Sequence, residues 1–421
     1  MRYEKIDKNL FIRNRENFAR KMDGNAIAIF TSNDIMPTNA DDVMNFVQNA
    51  DLFYLSGIDQ EESVLLLYPV AYNEAYREVL FIKRTDEVMR QWDGDKLTPE
   101  QAYDISGVKN VKWLDEFEKY VQLFAFEADK FYLGHNEHIK RLTKDMTTRQ
   151  DRMIEWIKQK YPLHQLDRAA KITRHLRQVK SPVEVDLIRK AAEISAIGYD
   201  RVRKAIKPGI KEYELEAELI YALTKYGANR HAFKPIFASG KNACALHYNT
   251  NDDVCRDGDM LLMDFGVNYA NYNSDITRCL PVNGKFTARQ EAVYRAVKHC
   301  LEEGSKMLTA GTIHKEYEAN MALLVEEALI ELNLLNATEV RNQDPEKPLY
   351  KKYFMHGTAH HIGIDVHDVG LYSRPMEQGM VFTCEPGIYI PEEGLGCRLE
   401  NDYLITKGLP ENLTEAIPFE L

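Results

Sequence analysis

Four carboxylates set in two apolar ribbons are the residues best placed to do chemistry: Asp264 and Asp275, then Glu385 and Glu400. The first ribbon, 259–282, reads as an apolar run, a polar break near 269–273 and a second apolar run. Asp264 and Asp275 lie equally far from a turn centred between Tyr269 and Ala270. Antiparallel pairing about that centre sets the two side chains opposite each other, with Cβ atoms roughly 5 Å apart. Two such charges about 4 Å apart repel by roughly 4 kcal/mol at an effective dielectric near 20. A shared cation turns that repulsion into binding. The alternative is a pairing slipped by one residue, which sends one Asp to solvent.

The second ribbon, 380–406, repeats the pattern, and Glu385 and Glu400 are equidistant from a centre at Glu392-Glu393. Near these ribbons in the chain stand His247, His356, His360, His361 and His367. Four carboxylates and an imidazole can hold two divalent ions through bridging oxygens. The residues alone leave open which His binds metal and which faces substrate. No H-E-x-x-H occurs, so a thermolysin-like zinc site has no support. The D-F-G string at 264–266 lacks an upstream H-R-D loop and a glycine-rich phosphate loop, which excludes a kinase.

The elements that must position these groups follow from pattern and caps. In residues 1–171, helix-like and β-rich segments alternate. The amphipathic stretch 9–22 precedes β-rich runs at 26–31, 52–55, 63–68, 79–82 and 130–133, with helices near 99–105 and 147–160. This predicts an α/β (α+β) domain with a mixed sheet, and a second domain over 172–421. Ser181, Pro182 and Glu184 spell a helix start: N-cap, first-turn proline and capping box. Helix pair, acidic ribbon, helix pair, acidic ribbon then suggests two similar halves, each donating two carboxylates.

With 421 residues, 44% hydrophobic and 28% charged, the chain has the composition of a two-domain globular protein. A net charge of -11 with no basic block argues against a nucleic-acid binder, and no apolar run reaches membrane-spanning length. The N-terminal residues contain no signal-peptide core, so a cytoplasmic location is expected. All six cysteines fall in the second half without C-x-x-C spacing, which favours reduced thiols.

The stretches MDFGVNYANYNSDITR, HGTAHHIGIDVHDVG, EPGIYI and RLEND resemble the motif set of the pita-bread metallopeptidases, in their aminopeptidase P and prolidase branch. SPVEVDLIRKAAEI is similar to the segment that opens their catalytic domain, and FVQNADLFYLSG to a signature of the creatinase/prolidase-type N-terminal domain. The resemblance implies Asp264, Asp275, His360, Glu385 and Glu400 as ligands of two metal ions, with Asp275 and Glu400 shared. It implies substrate and transition-state roles for His247, His356 and His367, and a bracing role for Arg398. Trp92 is similar to a tryptophan that some members insert into a neighbouring subunit's pocket; core packing is the other reading. His361 departs from the large aromatic residue that relatives often carry.

The implied activity is an Xaa-Pro aminopeptidase acting through a hydroxide held by two ions. Oxygen-rich ligation suits Mn²⁺, with Co²⁺ or Zn²⁺ possible. Glu385 is the candidate to move the proton from water to the proline nitrogen. A prolidase is the alternative, since Arg374 and Arg398 could clamp a free carboxylate, although no insertion near the ligands supplies a dedicated clamp. A non-catalytic pita-bread binding protein and a metal-independent creatinase-like hydrolase are disfavoured by the intact ligand set. The expected partners are proline-containing peptides and further copies of the chain, as a dimer or tetramer.

Overall fold

The computed structural model describes residues 2–138 and 146–419. The chain forms two compact units, Lys5–Arg177 and Gln178–Leu421, the latter joined by Met1–Glu4. The helix 170–177 therefore stays with the first unit, whereas the sequence places the division at 171/172.

The first unit is built on one six-stranded mixed sheet. Its helices are α1 (Asn9–Lys21), α2 (Ala50–Ser56), α3 (Glu87–Asp93), α4 (Pro99–Ser106), α5 (Phe117–Ala125), α6 (Arg149–Lys160) and α7 (Ala170–Arg177). Its strands are β1 (Ala26–Thr31), β2 (Val64–Leu67), β3 (Glu78–Ile82), β4 (Asn110–Trp113), β5 (Lys130–Leu133) and β6 (Gln165–Arg168), in the order β4-β3-β2-β1-β5-β6. Antiparallel pairing joins β1 to β2 and β2 to β3; the outer pairs are parallel. One run departs from expectation. Residues 52–55, expected to be β-rich, lie inside α2. The Asn49 side chain accepts from the backbone N–H groups of Asp51 and Leu52, and Gly57 closes the helix in the left-handed conformation. A four-residue apolar run carries no period of its own, so the flanking caps decide its form.

The second unit opens with α8 (Pro182–Ala205) and α9 (Glu212–Lys225). The start of α8 is as the capping pattern predicts: Ser181 N–H and Oγ both donate to Glu184 Oε2, at 2.9 and 2.8 Å. Then follow β7 (Arg230–His231), β8 (Ile236–Ser239), β9 (Met260–Phe265), β10 (Val267–Tyr269), β11 (Tyr272–Asn273) and β12 (Ile276–Pro281). A second helix pair, α10 (Ala288–Lys306) and α11 (His314–Glu331), leads to β13 (Val381–Cys384), β14 (Gly387–Ile390), β15 (Leu395–Arg398) and β16 (Asn401–Leu404). The halves match in detail. The residues that cap α9 and α11, Lys211 and Ile313, each make a single antiparallel bridge, to Val254 and Pro375. Each half then forms an antiparallel ribbon that bends midway. Leu262, Val297, Leu301, Met321, Val325, Ile388 and Cys397 share one buried core, so the second helix pair cannot shift without moving the ribbons.

Candidate metal centre

The carboxylates stand where the two ribbons bend. In the second ribbon, Cys384 pairs with Asn401 and Gly387 with Arg398, and the same register sets Glu385 opposite Glu400, as the spacing predicts. The first ribbon corrects the sequence reading by one residue. Its turn is the pair Ala270-Asn271, both with positive φ (51° and 65°), so Tyr269 pairs with Tyr272 and Asp264 with Thr277. That is the left-handed two-residue hairpin turn, whose twist suits antiparallel strands. Asp275 therefore lies diagonal to Asp264 on the same face rather than directly opposite. Gly266 makes the bend possible, because a β-carbon there would collide with the Ser274 carbonyl oxygen.

The ribbons meet at Thr277. Its carbonyl accepts from Glu400 N–H at 3.1 Å, and its Oγ1 donates to Glu400 Oε2 at 2.7 Å. This brings Asp275, His360 and Glu400 together, with one donor atom of each within 4.8 Å of the others and all three residues buried. Glu385 joins them, its Oε1 3.8 Å from His360 Nε2, and Asp275 Oδ2 lies 3.5 Å from the same nitrogen. His360 Nδ1 sits 3.0 Å from the His361 carbonyl oxygen, which holds the proton on that nitrogen. Nε2 thus turns a lone pair toward two carboxylates.

Such a group of acceptors fits a cation and little else. Burial pushes the Asp275 carboxyl well above the usual range, and Glu400, Asp264, Asp402 and Glu385 push it the same way. Glu400 moves in the same direction, by burial first and then by Glu385 and Asp264. One oxygen each of Asp264 and Asp275 is buried without a hydrogen-bond partner. Bound divalent charge would satisfy both atoms and reverse both shifts.

A line of donors runs away from this group. Arg398, buried, reaches Asp264 Oδ2 at 2.6 Å, Thr277 Oγ1 at 3.3 Å and Tyr389 Oη at 2.6 Å. Tyr389 Oη lies 2.8 Å from His356 Nε2, while His356 Nδ1 lies 2.8 Å from the Gly357 carbonyl oxygen. The carbonyl can only accept, so Nδ1 carries the proton and Nε2 accepts from the Tyr389 hydroxyl. Burial, and then the Arg398 charge, lowers the His356 pKa to about 4, which keeps the ring neutral.

The segment 356–368 holds its place without being a strand; its one ladder contact is a bridge from His361 to Phe382. Glu318 on α11 accepts from the Thr358 and Ala359 backbone N–H groups at 3.0 Å, and Asn273 Nδ2 donates to the Gly363 and Ile364 carbonyls. His367 is exposed, with its ring centroid 4.4 Å from that of His360. His247 is exposed on the loop after β8, and its charge contributes to the depression at His356. Trp92 belongs to the first unit, on α3, with 82% of its surface exposed, so it is not a core residue. His361 is buried between Tyr372 and Phe382 rather than facing the carboxylates.

Three residues of this site escape the sequence reading. Thr277 links the ribbons, Tyr389 links Arg398 to His356, and Asp402 accepts the Asp275 N–H at 3.0 Å. Thr277 and Asp402 each sit two residues beyond a carboxylate, on its face of the strand, and that alternation was the available signal.

Residues 186–407 match the family model for metallopeptidase family M24, and residues 11–132 that for the aminopeptidase P N-terminal domain. The Xaa-Pro aminopeptidase of Escherichia coli is 32% identical over 98% of this chain and 96% of its own length. The solved structure of a Pseudomonas aeruginosa aminopeptidase superposes with a TM-score of 0.89 at 30% identity, covering 98% of this chain and 96% of that one. Zinc-substituted aminopeptidase P of Escherichia coli, in complex with product, superposes with a TM-score of 0.87 at 30% identity over 99% and 96% of the two chains. The chain belongs to metallopeptidase family M24 and carries the N-terminal domain of aminopeptidase P.

Proposed function

We propose that this metallopeptidase removes the first residue from peptides whose second residue is proline, with two divalent ions held by Asp264, Asp275, His360, Glu385 and Glu400. The observation that carries the reading is the buried trio Asp275, His360 and Glu400, which each bring one ligand atom within 4.8 Å of the others. Oxygen-rich ligation with one imidazole favours Mn²⁺ among the candidate metals. When bound, such ions polarise a scissile carbonyl and lower the pKa of water toward neutrality.

The chain's own groups do the rest. Glu385 keeps part of its side chain accessible, at 20%, beside the ligand trio and 3.9 Å from His356 Nδ1. It takes the proton of the attacking water and returns it to the departing proline nitrogen. That nitrogen is tertiary in the substrate, so it needs a proton delivered before it can leave as an amine. His367 and His247, both exposed beside the trio and His356, bind the substrate and its developing oxyanion. Arg398 fixes Asp264 from behind, leaving the opposite oxygen for a cation.

The deciding assay compares an Xaa-Pro dipeptide with an Xaa-Pro-Xaa tripeptide, after chelation and after Mn²⁺ is restored. Hydrolysis of the tripeptide only with metal supports the proposal. Cleavage confined to the dipeptide makes the chain a prolidase, and activity that survives chelation removes the metal reading.

A further inference from the structure

Glu212, the first residue of α9, is fully buried, and among the described residues no basic side chain pairs with it at 4.0 Å or less. Its side-chain oxygens are satisfied by hydrogen bonds from neutral donors instead. Oε1 accepts from Ser239 N–H at 2.8 Å, Ser239 Oγ at 2.7 Å and Asn242 Nδ2 at 3.3 Å; Oε2 accepts from Tyr248 Oη at 2.7 Å and Asp253 N–H at 3.0 Å. Two carboxylate oxygens offer about four lone-pair sites, so these donors fill them. The start of a helix also favours negative charge at this position.

All five donors come from one stretch, 239–253, and that stretch carries His247. Glu212 holds its beginning at Ser239, its end at Asp253 and, through Tyr248, the residue next to His247. One helical turn on, Glu216 accepts from Asn251 Nδ2 at 2.9 Å, and Asn251 takes the Phe237 N–H at 2.9 Å. The backbone of the stretch supplies little rigidity by itself: one 3-10 turn over Gly240–Cys244 and a bond from Tyr248 N–H to the Ala245 carbonyl. In the other half, Glu318 on α11 binds the segment that carries His356 and His360 in the same manner.

We propose that Glu212 is a positioning residue for His247, setting the loop so that this imidazole stands beside His356 at the substrate face. The inference rests on the substrate role given to His247 above. It is tested in the Mn²⁺-loaded protein with Glu212→Gln, and with Tyr248→Phe in case the first variant folds poorly. Either change should lower kcat/KM on an Xaa-Pro-Xaa peptide by about ten- to a hundred-fold, the usual cost of a small misplacement. In a His247→Ala background the same changes should lower it no further. An equal loss in that background, or no loss in the parent, overturns the inference.

Amide hydrogen exchange gives a readout that does not need activity. Exchange across 240–253 should rise in the Glu212→Gln protein while the segment around His356 keeps its protection; unchanged protection in 240–253 overturns the inference. A metal-loaded parent that cleaves no Xaa-Pro peptide overturns the proposed function instead, and the exchange result then decides the role of Glu212 alone.

Discussion

Thr277 and Glu400 bind each other twice, by a backbone hydrogen bond of 3.1 Å and a side-chain hydrogen bond of 2.7 Å, although 123 residues separate them. This contact joins the two ribbons, together with the bonds from Asp275 N–H to Asp402 and from Arg398 to Asp264. It orients one carboxylate of the ligand group, and its hydroxyl oxygen also accepts from Arg398 Nε at 3.3 Å.

Thr277→Val keeps the branched shape and removes the hydroxyl. The apparent dissociation constant for Mn²⁺, measured by titration calorimetry, should rise about ten- to a hundred-fold, as for other groups that orient a ligand from behind. Affinity equal to that of the parent would show that the backbone bond alone holds Glu400.

Asp275→Asn should act in opposite directions with and without metal. In chelated protein it removes one of the facing charges. The folded-state pKa of Asp275 is raised, so its contribution is intact below the unfolded value of about 3.9 and is lost as pH climbs. The Tm advantage of the variant should therefore grow from pH 4 to pH 8. With Mn²⁺ present the order reverses, because the parent gains about 2.7 kcal/mol at a hundred times its Kd and the variant does not. An advantage that shrinks with rising pH would refute the electrostatic picture.

His361 should make the protein acid-sensitive. Burial, and then the Lys180 charge, lowers its pKa to about 3, so the folded state refuses a proton that the unfolded chain accepts near 6.5. Its contribution is present above the unfolded pKa and is lost as pH falls from there toward about 3. Between pH 6.5 and pH 5 the loss comes to about 2 kcal/mol. His361→Leu should flatten the fall in unfolding free energy over that interval; an unchanged slope would assign the acid sensitivity to another group.

Lys180 and Asp368 form a buried pair, Nζ to Oδ2 3.1 Å, with both side chains 1% exposed. Removing the cation alone leaves an uncompensated buried charge, so Lys180→Met should cost about 3–5 kcal/mol in the calorimetric transition of the C-terminal unit. Adding Asp368→Asn should recover at least half of that loss. Equal instability of the single and double variants would mean that the lysine matters for packing rather than charge.

Much of this was legible in the residues. The start of α8 follows from Ser181, Pro182 and Glu184, because capping is local chemistry within one turn. Equal spacing about Glu392-Glu393 yields the partnership of Glu385 and Glu400, because the two ladders on either side of the bend keep one register. The same arithmetic misplaces Asp264 against Asp275 by one step, because the turn at Ala270-Asn271 needs two residues with positive φ and Ala does not advertise that. Residues 52–55 give no sign of their helix because a short apolar run has no period, and the caps that settle it lie outside the run.

What the amino-acid order determined by itself was therefore the four candidate carboxylates and the ribbon that carries each, since alternation and turn spacing depend on forces a few residues long. Only the folded unit decided that Thr277 meets Glu400, that Tyr389 spans Arg398 and His356, and that His360 turns its lone pair inward. Those relations depend on which faces the two helix pairs press together, and packing between distant segments leaves no periodic trace in either one.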